Sequence, residues 1–282
     1  MPLCYPIDPT HLKKEAMLSP LPSVSRAKSY LDSPGLARQP GLPSDQPMVE
    51  ERLPFSVRVA GNDEDLAKAV GIRADAYARH MPEFGAKLRQ PELIDGEPGV
   101  VVLLAESKLD RSALGTLRIQ SNAHMSLKVE QSVTLPSWMR DHPLAEVSRL
   151  GIVGGLIGRL VKTVLIKAAF QYCEQDGIDW AVVAARAPLD RQYDQLLFED
   201  LYPEQGFIPM RHGNNIPHRV MAFEIETGHQ RWADANHPLL KFFSYTRHPD
   251  IDVSVRPEKP WGGLFPVPAA DAPPQPMSLR PV

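Results

Sequence analysis

Residues 144–177 read LAEVSRLGIVGGLIGRLVKTVLIKAAFQYCEQDG, and this stretch decides the fold. A polar start (Glu146, Ser148, Arg149) runs into an apolar, strand-like end from Leu150 to Val153. Gly154, Gly155 and Gly158 predict a turn. Beyond it Leu160, Val161, Val164, Leu165, Ala168, Ala169 and Tyr172 recur at helical spacing, with Lys162, Thr163, Lys167, Gln171 and Gln175 on the other side. Asp176-Gly177 stops the helix. A strand feeding a glycine turn and a helix N-terminus presents unpaired backbone N–H groups at a positive dipole end, which is a physical site for a pyrophosphate or another anion. The same glycines also suit a tight turn with close helix packing.

Working outward, Trp180 to Ala184 is a second apolar strand. Strand, helix and strand across 146–184 therefore form a right-handed βαβ-like unit. Upstream, Phe55 to Ala60 alternates and reads as a strand, and Asp63 can cap a helix from about 64 to 80. The stripe of that helix is Leu66, Val70, Arg73, Tyr77 and Met81. Arg73 at a buried position either snorkels or pairs at the edge, or else faces a cleft and holds a carboxylate or phosphate. A loop spans 82–99. Val100 to Ala105 and Ala113 to Gln120 read as hairpin strands, with Leu114, Thr116 and Arg118 sharing one face. Arg118 is a second candidate for holding an anion, or else a solvated strand end. Downstream come a helix over 188–200, a strand over 219–226 and a helix over 232–245. The order predicts an α/β or α+β fold, a mixed sheet with helices on both faces.

Composition bounds the function. The chain has 282 residues, and 31 basic against 34 acidic side chains leave a formal charge of −3. No basic excess supports a nucleic-acid partner. Proline, at 29 residues, is roughly twice its average share of about 5%. Ten prolines fall in 1–54 and eight in 257–282, so 1–54 reads as a proline-rich extension, 55–250 as the folded domain and 251–282 as a proline-rich tail. Short helices are expected near 10–18 and 24–32. Two cysteines, Cys4 and Cys173, make no disulfide framework or metal spacing, and a reducing cytoplasm fits them. No stretch resembles a signal peptide or a membrane span. The nine histidines are scattered without zinc spacing, and the Gly-x-Ser-x-Gly turn of a serine hydrolase is absent.

Four motifs add a resemblance. The element order resembles the GNAT acyltransferase fold, which ends one helix in Tyr-x-x-x-Gly-Phe; Tyr202 and Gly206-Phe207 resemble that ending. Glu146-Val147-Ser148-Arg149 resembles the Glu-x-Ser-Arg signature of acyl-homoserine lactone synthases and long-chain N-acyl amino acid synthases. Arg73-x-x-x-Tyr77 and Gly115-Thr-Leu-Arg118 lie at family-like places. Residues 82–99 carry Glu83, Glu92, Asp95 and Glu97 but no tryptophan, which favours the amino acid synthase relatives over homoserine-lactone chemistry. The resemblance implies an N-acyltransferase moving a fatty acyl group from acyl carrier protein or coenzyme A to an amine. It implies no tightly bound cofactor and no metal. Glu146 is then the base and Tyr202 the group that serves the leaving thiolate. Arg73, Tyr77, Arg118, Ser148 and Arg149 bind the acceptor, while Leu150, Ile152, Gly154, Gly155, Gly158 and Arg159 bind the acyl donor. An acidic carrier protein would meet Arg159, Lys162 and Lys167. Two readings compete with this one: an acetyl-CoA-dependent N-acetyltransferase, and a non-catalytic acyl-thioester-binding module.

Overall fold

A computed structural model describes residues 47–254. The helices expected near 10–18 and 24–32, and most of both proline-rich extensions, lie outside the described residues. In chain order the elements are β1 (Val49–Glu50), β2 (Phe55–Val59), α1 (Asp63–Ala78), α2 (Pro82–Lys87), β3 (Val100–Ser107), β4 (Ala113–Ser121), β5 (Leu144–Ile152), α3 (Gly155–Gln175), β6 (Trp180–Ala185), α4 (Asp190–Gln195), β7 (Glu199–Asp200), β8 (Ile208–Met210), β9 (Ile216–Glu224), α5 (Gly228–Asp234), α6 (Leu240–Ser244), β10 (Thr246–Arg247) and β11 (Ile251–Asp252).

Nine of these strands form one mixed sheet in the order β11-β2-β3-β4-β5-β6-β9-β7, with β8 also on β9. β2 to β5 run antiparallel, β5 and β6 are parallel, and β9 returns antiparallel to β6. Strand alternation divides the apolar side chains between two faces. Val57, Leu103, Leu117, Ile119 and Ala145 pack under α3 through Val161, Val164, Leu165 and Ala168. Val102 and Leu104 pack under α1 through Leu66, Ala69 and Val70. Gly115 lets α3 close on the sheet: a Cβ there would lie 2.6 Å from Val161 Cγ1.

Several expectations shift. The cap of α1 is Asn62, not Asp63: Asn62 is extended and its Oδ1 accepts the N–H of Asp65 at 2.9 Å. The helix expected over 188–200 stops at Gln195. Leu197 turns left-handed (φ 69°), and the chain joins the sheet as β7 against β9. The helix expected over 232–245 breaks into α5 and α6 around His237-Pro238, because proline cannot donate to a continuing helix. β11, past residue 250, pairs in parallel with β2.

One irregularity shapes the site. Thr116 pairs with Gly151 and Arg118 with Ser148, so Arg149 and Leu150 together oppose Leu117. That is a β-bulge, and Arg149 sits in it left-handed at φ 55°. β5 pairs with β6 only over Leu144–Glu146, and past Glu146 a cleft opens between them.

Candidate active site

The cleft has a volume of about 310 Å³. Its walls come from β5 (Glu146 to Leu150, and Ile152), from the last turn of α1, from α2, from α3, from the segment after β6, and from the loop before β9.

Glu146 lies at its floor, 1% exposed. Gln120 and Glu146 are cross-strand partners, as are Arg118 and Ser148, so all four share the face under α1. The Val129 N–H donates to Glu146 Oε2 at 2.7 Å. Burial raises the carboxyl pKa, partly offset by that hydrogen bond and by the charges of Arg118, Arg149 and Lys128. A carboxyl group so placed takes up a proton readily.

Uninterrupted alternation would put Arg149 on the opposite face from Glu146 and Ser148. The bulge moves it to the cleft, where it lines the wall beside them. Its guanidinium donates from Nε and Nη2 to the two oxygens of Glu92, both at 2.6 Å, and lies 5.5 Å from the centre of the Phe84 ring. Arg118 donates to Glu92 at 2.9 Å and to Asp95 at 3.2 Å, and reaches Ser148 Oγ at 3.4 Å. Arg73, fully buried, donates to both oxygens of Asp95 at 2.8 and 3.1 Å. Arg73 thus does not face the cleft, and the carboxylate it pairs with is an internal one. Burial alone would push the Glu92 carboxyl up; hydrogen bonding from Arg149 and the charges of Arg118, Arg149 and Arg73 prevail and hold it at about 2. Three guanidiniums and two carboxylates leave this cluster one positive charge in excess.

Tyr77, Ser148, Arg149, Leu150 and Ile152 line the cleft, whereas Arg73 and Arg118 stand behind it. Gly154, Gly155, Gly158 and Arg159 lie outside the cleft wall, at the start of α3. Gly154 caps that helix without a side-chain bond, Gly155 has φ 78°, and Gly158 is already helical.

Tyr202 is not in the cleft. Its hydroxyl donates to Thr134 O at 2.7 Å, and Phe207 of the expected motif is 43% exposed. The spacing recurs nine residues earlier: Tyr193-Asp-Gln-Leu-Leu197-Phe198 closes α4, with left-handed Leu197 where the motif has glycine. Tyr193 lines the cleft, and burial raises its phenol to about 12.

Glu92, Asp95, Tyr193 and His212 are the site groups that sequence reading did not assign. The first two stood in the acidic 82–99 segment. Tyr193 had its own motif spacing. His212 carried no local signal. A small apolar chamber of about 30 Å³ lies beside the cleft, sharing Val147, Ile166, Tyr193 and Leu196 with its lining and bounded also by Phe170, Cys173 and Trp232. Among the described residues no group of three or more His, Cys, Asp or Glu is placed to hold a metal ion, and no helix is long and apolar enough to cross a membrane.

No protein-family model and no curated protein matches the sequence. Solved structures do match. FeeM, an N-acyl amino acid synthase from uncultured soil microbes, superposes with a TM-score of 0.50 at 15% identity, over 67% of this chain and 96% of that one. BjaI, a CoA-dependent acyl-homoserine lactone synthase, gives 0.46 at 16%, over 69% and 93%. Aminoglycoside 6'-acetyltransferase type Ii gives 0.39 at 12%, over 59% and 96%. The first likeness shows the fold: this chain has the GNAT-like architecture of the N-acyl amino acid synthase.

Proposed function

We propose that the chain is an N-acyltransferase that moves a long-chain acyl group from a thioester to the amine of an amino acid or similar small molecule. The observation that carries this reading is Glu146, a buried carboxyl group with raised proton affinity, set at the floor of a cleft whose lining it shares with Arg149, Tyr77 and Tyr193. The likeness to the solved synthase supports it.

Glu146 takes the proton from the acceptor amine as the nitrogen attacks the thioester carbonyl. Backbone N–H groups of β5 beyond Glu146, on the side that β6 has left, stabilise the oxyanion. Tyr193, not Tyr202, serves the leaving group. A phenol near 12 keeps its proton beside a thiolate, so Tyr193 acts as a hydrogen-bond donor to the departing sulfur. The thiolate then gains its proton from Glu146 or from solvent. The cluster's surplus positive charge, which Arg149 presents at the cleft wall, suits an acceptor carboxylate. Arg79, Lys162 and Arg186 on the wall suit an anionic donor, acyl carrier protein or acyl-CoA. The resemblance of Glu146-Val147-Ser148-Arg149 to the signature of long-chain N-acyl amino acid synthases favours a long-chain donor over acetyl transfer.

The test offers purified protein a panel of acyl-CoA and acyl carrier protein donors, from acetyl to palmitoyl, with a panel of amino acids. Mass spectrometry is expected to find a long-chain amide. Glu146→Gln should lower turnover by about 10²–10⁴-fold with an unchanged melt. Transfer confined to acetyl, or thioester binding without turnover, overturns the reading.

A further inference from the structure

Two groups from other elements meet the Glu146 carboxyl. The Val129 N–H holds Oε2 at 2.7 Å. His212 brings its Nε2 to 3.6 Å from Oε1. His212 belongs to the short 3-10 turn Arg211–Gly213 between β8 and β9. The Arg149 guanidinium donates to the backbone carbonyl of that residue at 3.3 Å, so the arginine locked on Glu92 also fixes the turn. The His212 side chain is 11% exposed and lines the cleft. Its Nδ1 is buried and has no hydrogen-bond partner among the described residues.

These contacts select a tautomer. A proton on Nδ1 would be buried without an acceptor and would turn the Nε2 lone pair toward carboxylate oxygen. A proton on Nε2 points at Oε1. We propose that His212 is a positioning residue for Glu146, whose neutral ring presents Nε2–H to Oε1 and completes a two-donor grip on the carboxylate. The assignment of its catalytic effect rests on the acyl-transfer reading above. At 3.6 Å the contact is longer than a hydrogen bond, and such contacts shorten when substrate closes over them. Burial, then the Arg149 charge, holds the His212 imidazole at about 4, so the ring is neutral near pH 7. The other charged or titratable groups acting on the pair are Arg118 from β4, Lys128 from the turn Lys128–Gln131, His218 from β9, and Glu92.

A donor to a carboxylate lowers its pKa, so losing the donor raises it. In His212→Phe the acid limb of the kcat/KM profile should move up by about one pH unit and kcat should fall about tenfold, with KM little changed. His212→Gln, which restores an N–H, should return the limb. An acid limb that stays in place in His212→Phe overturns the proposal. Two measurements need no turnover. Nitrogen-15 NMR of the native chain should show the Nε2–H tautomer at His212; the Nδ1–H tautomer overturns it, whatever the variants do. Carbon-13 carboxyl titration, with Glu146 assigned through Glu146→Gln, should move upward in His212→Phe. A shifted titration without acyl transfer from any thioester would sink the function and leave the pairing standing.

Discussion

Glu92 joins the site from a position with no secondary-structure signal of its own. Its carboxylate meets Arg73, Arg118 and Arg149, and through Arg149 it anchors a residue in a left-handed conformation. A non-glycine residue there costs about 1–3 kcal/mol, which the bidentate ion pair offsets. The pH dependence follows from the Glu92 pKa, about 2 in the native state against an ordinary 4.5. A depressed carboxyl contributes stability that is complete above its unfolded value and lost as pH falls through its folded one. Thermal melts should therefore lose stability between about pH 4.5 and 2, and Glu92→Gln should make that decline shallower. Arg73→Met should cost about 3–5 kcal/mol in urea unfolding, because it strips a buried partner from Asp95. An unchanged midpoint would show that Arg118 alone satisfies that acid.

At the scale of elements, the start of α3 separates three glycines by what each backbone position demands. A Cβ at Gly158 would lie 1.9 Å from Val153 O, whereas one at Gly154 meets nothing nearer than Arg79 Nη1 at 3.9 Å. Gly155 has open space but a left-handed φ of 78°. In urea unfolding Gly154→Ala should change stability by about 0.5 kcal/mol or less. Gly155→Ala should cost about 1–2 kcal/mol, and Gly158→Ala more than either. Equal losses at all three would mean that the turn is governed by something other than backbone sterics. The bulge in β5 is the other decisive local feature. It re-aims one arginine onto the face of Glu146 and Ser148, within a strand whose composition reads as plain alternation.

For the whole molecule, the last described segment folds back as α6, β10 and β11, with β10 pairing with β1 in a two-stranded sheet and β11 adding to the edge of the main sheet beside β2. Lys167, 1% exposed in the middle of α3, holds it: Nζ donates to the carbonyls of Phe242 and Thr246 and lies 3.2 Å from His248 Nδ1. Burial lowers its ammonium pKa to about 8. Lys167→Met should cost about 1–3 kcal/mol for each carbonyl left unsatisfied. Hydrogen exchange should locate the loss in residues 240–252 while the β3–β4 hairpin stays protected. A uniform loss across the sheet would instead make Lys167 part of the common core.

The chain's own periodicities determined the strand–turn–helix centre, the hairpin before it and the strand after it, because alternation and helical spacing are set by neighbouring residues. The order of those elements resembles the GNAT fold, and the resemblance of Glu146-Val147-Ser148-Arg149 to a family signature marked Glu146, which the structure places in the cleft. Tertiary structure alone decided what surrounds it. Arg149 reaches Glu92 across 57 positions of sequence, and only a bulge formed against β4 aims it there. Tyr193 lines the cleft and Tyr202 does not, because β7 joins the sheet and the helix ends at Gln195. Buried ion pairs and strand register depend on which distant segments meet, and short-range spacing does not record those meetings.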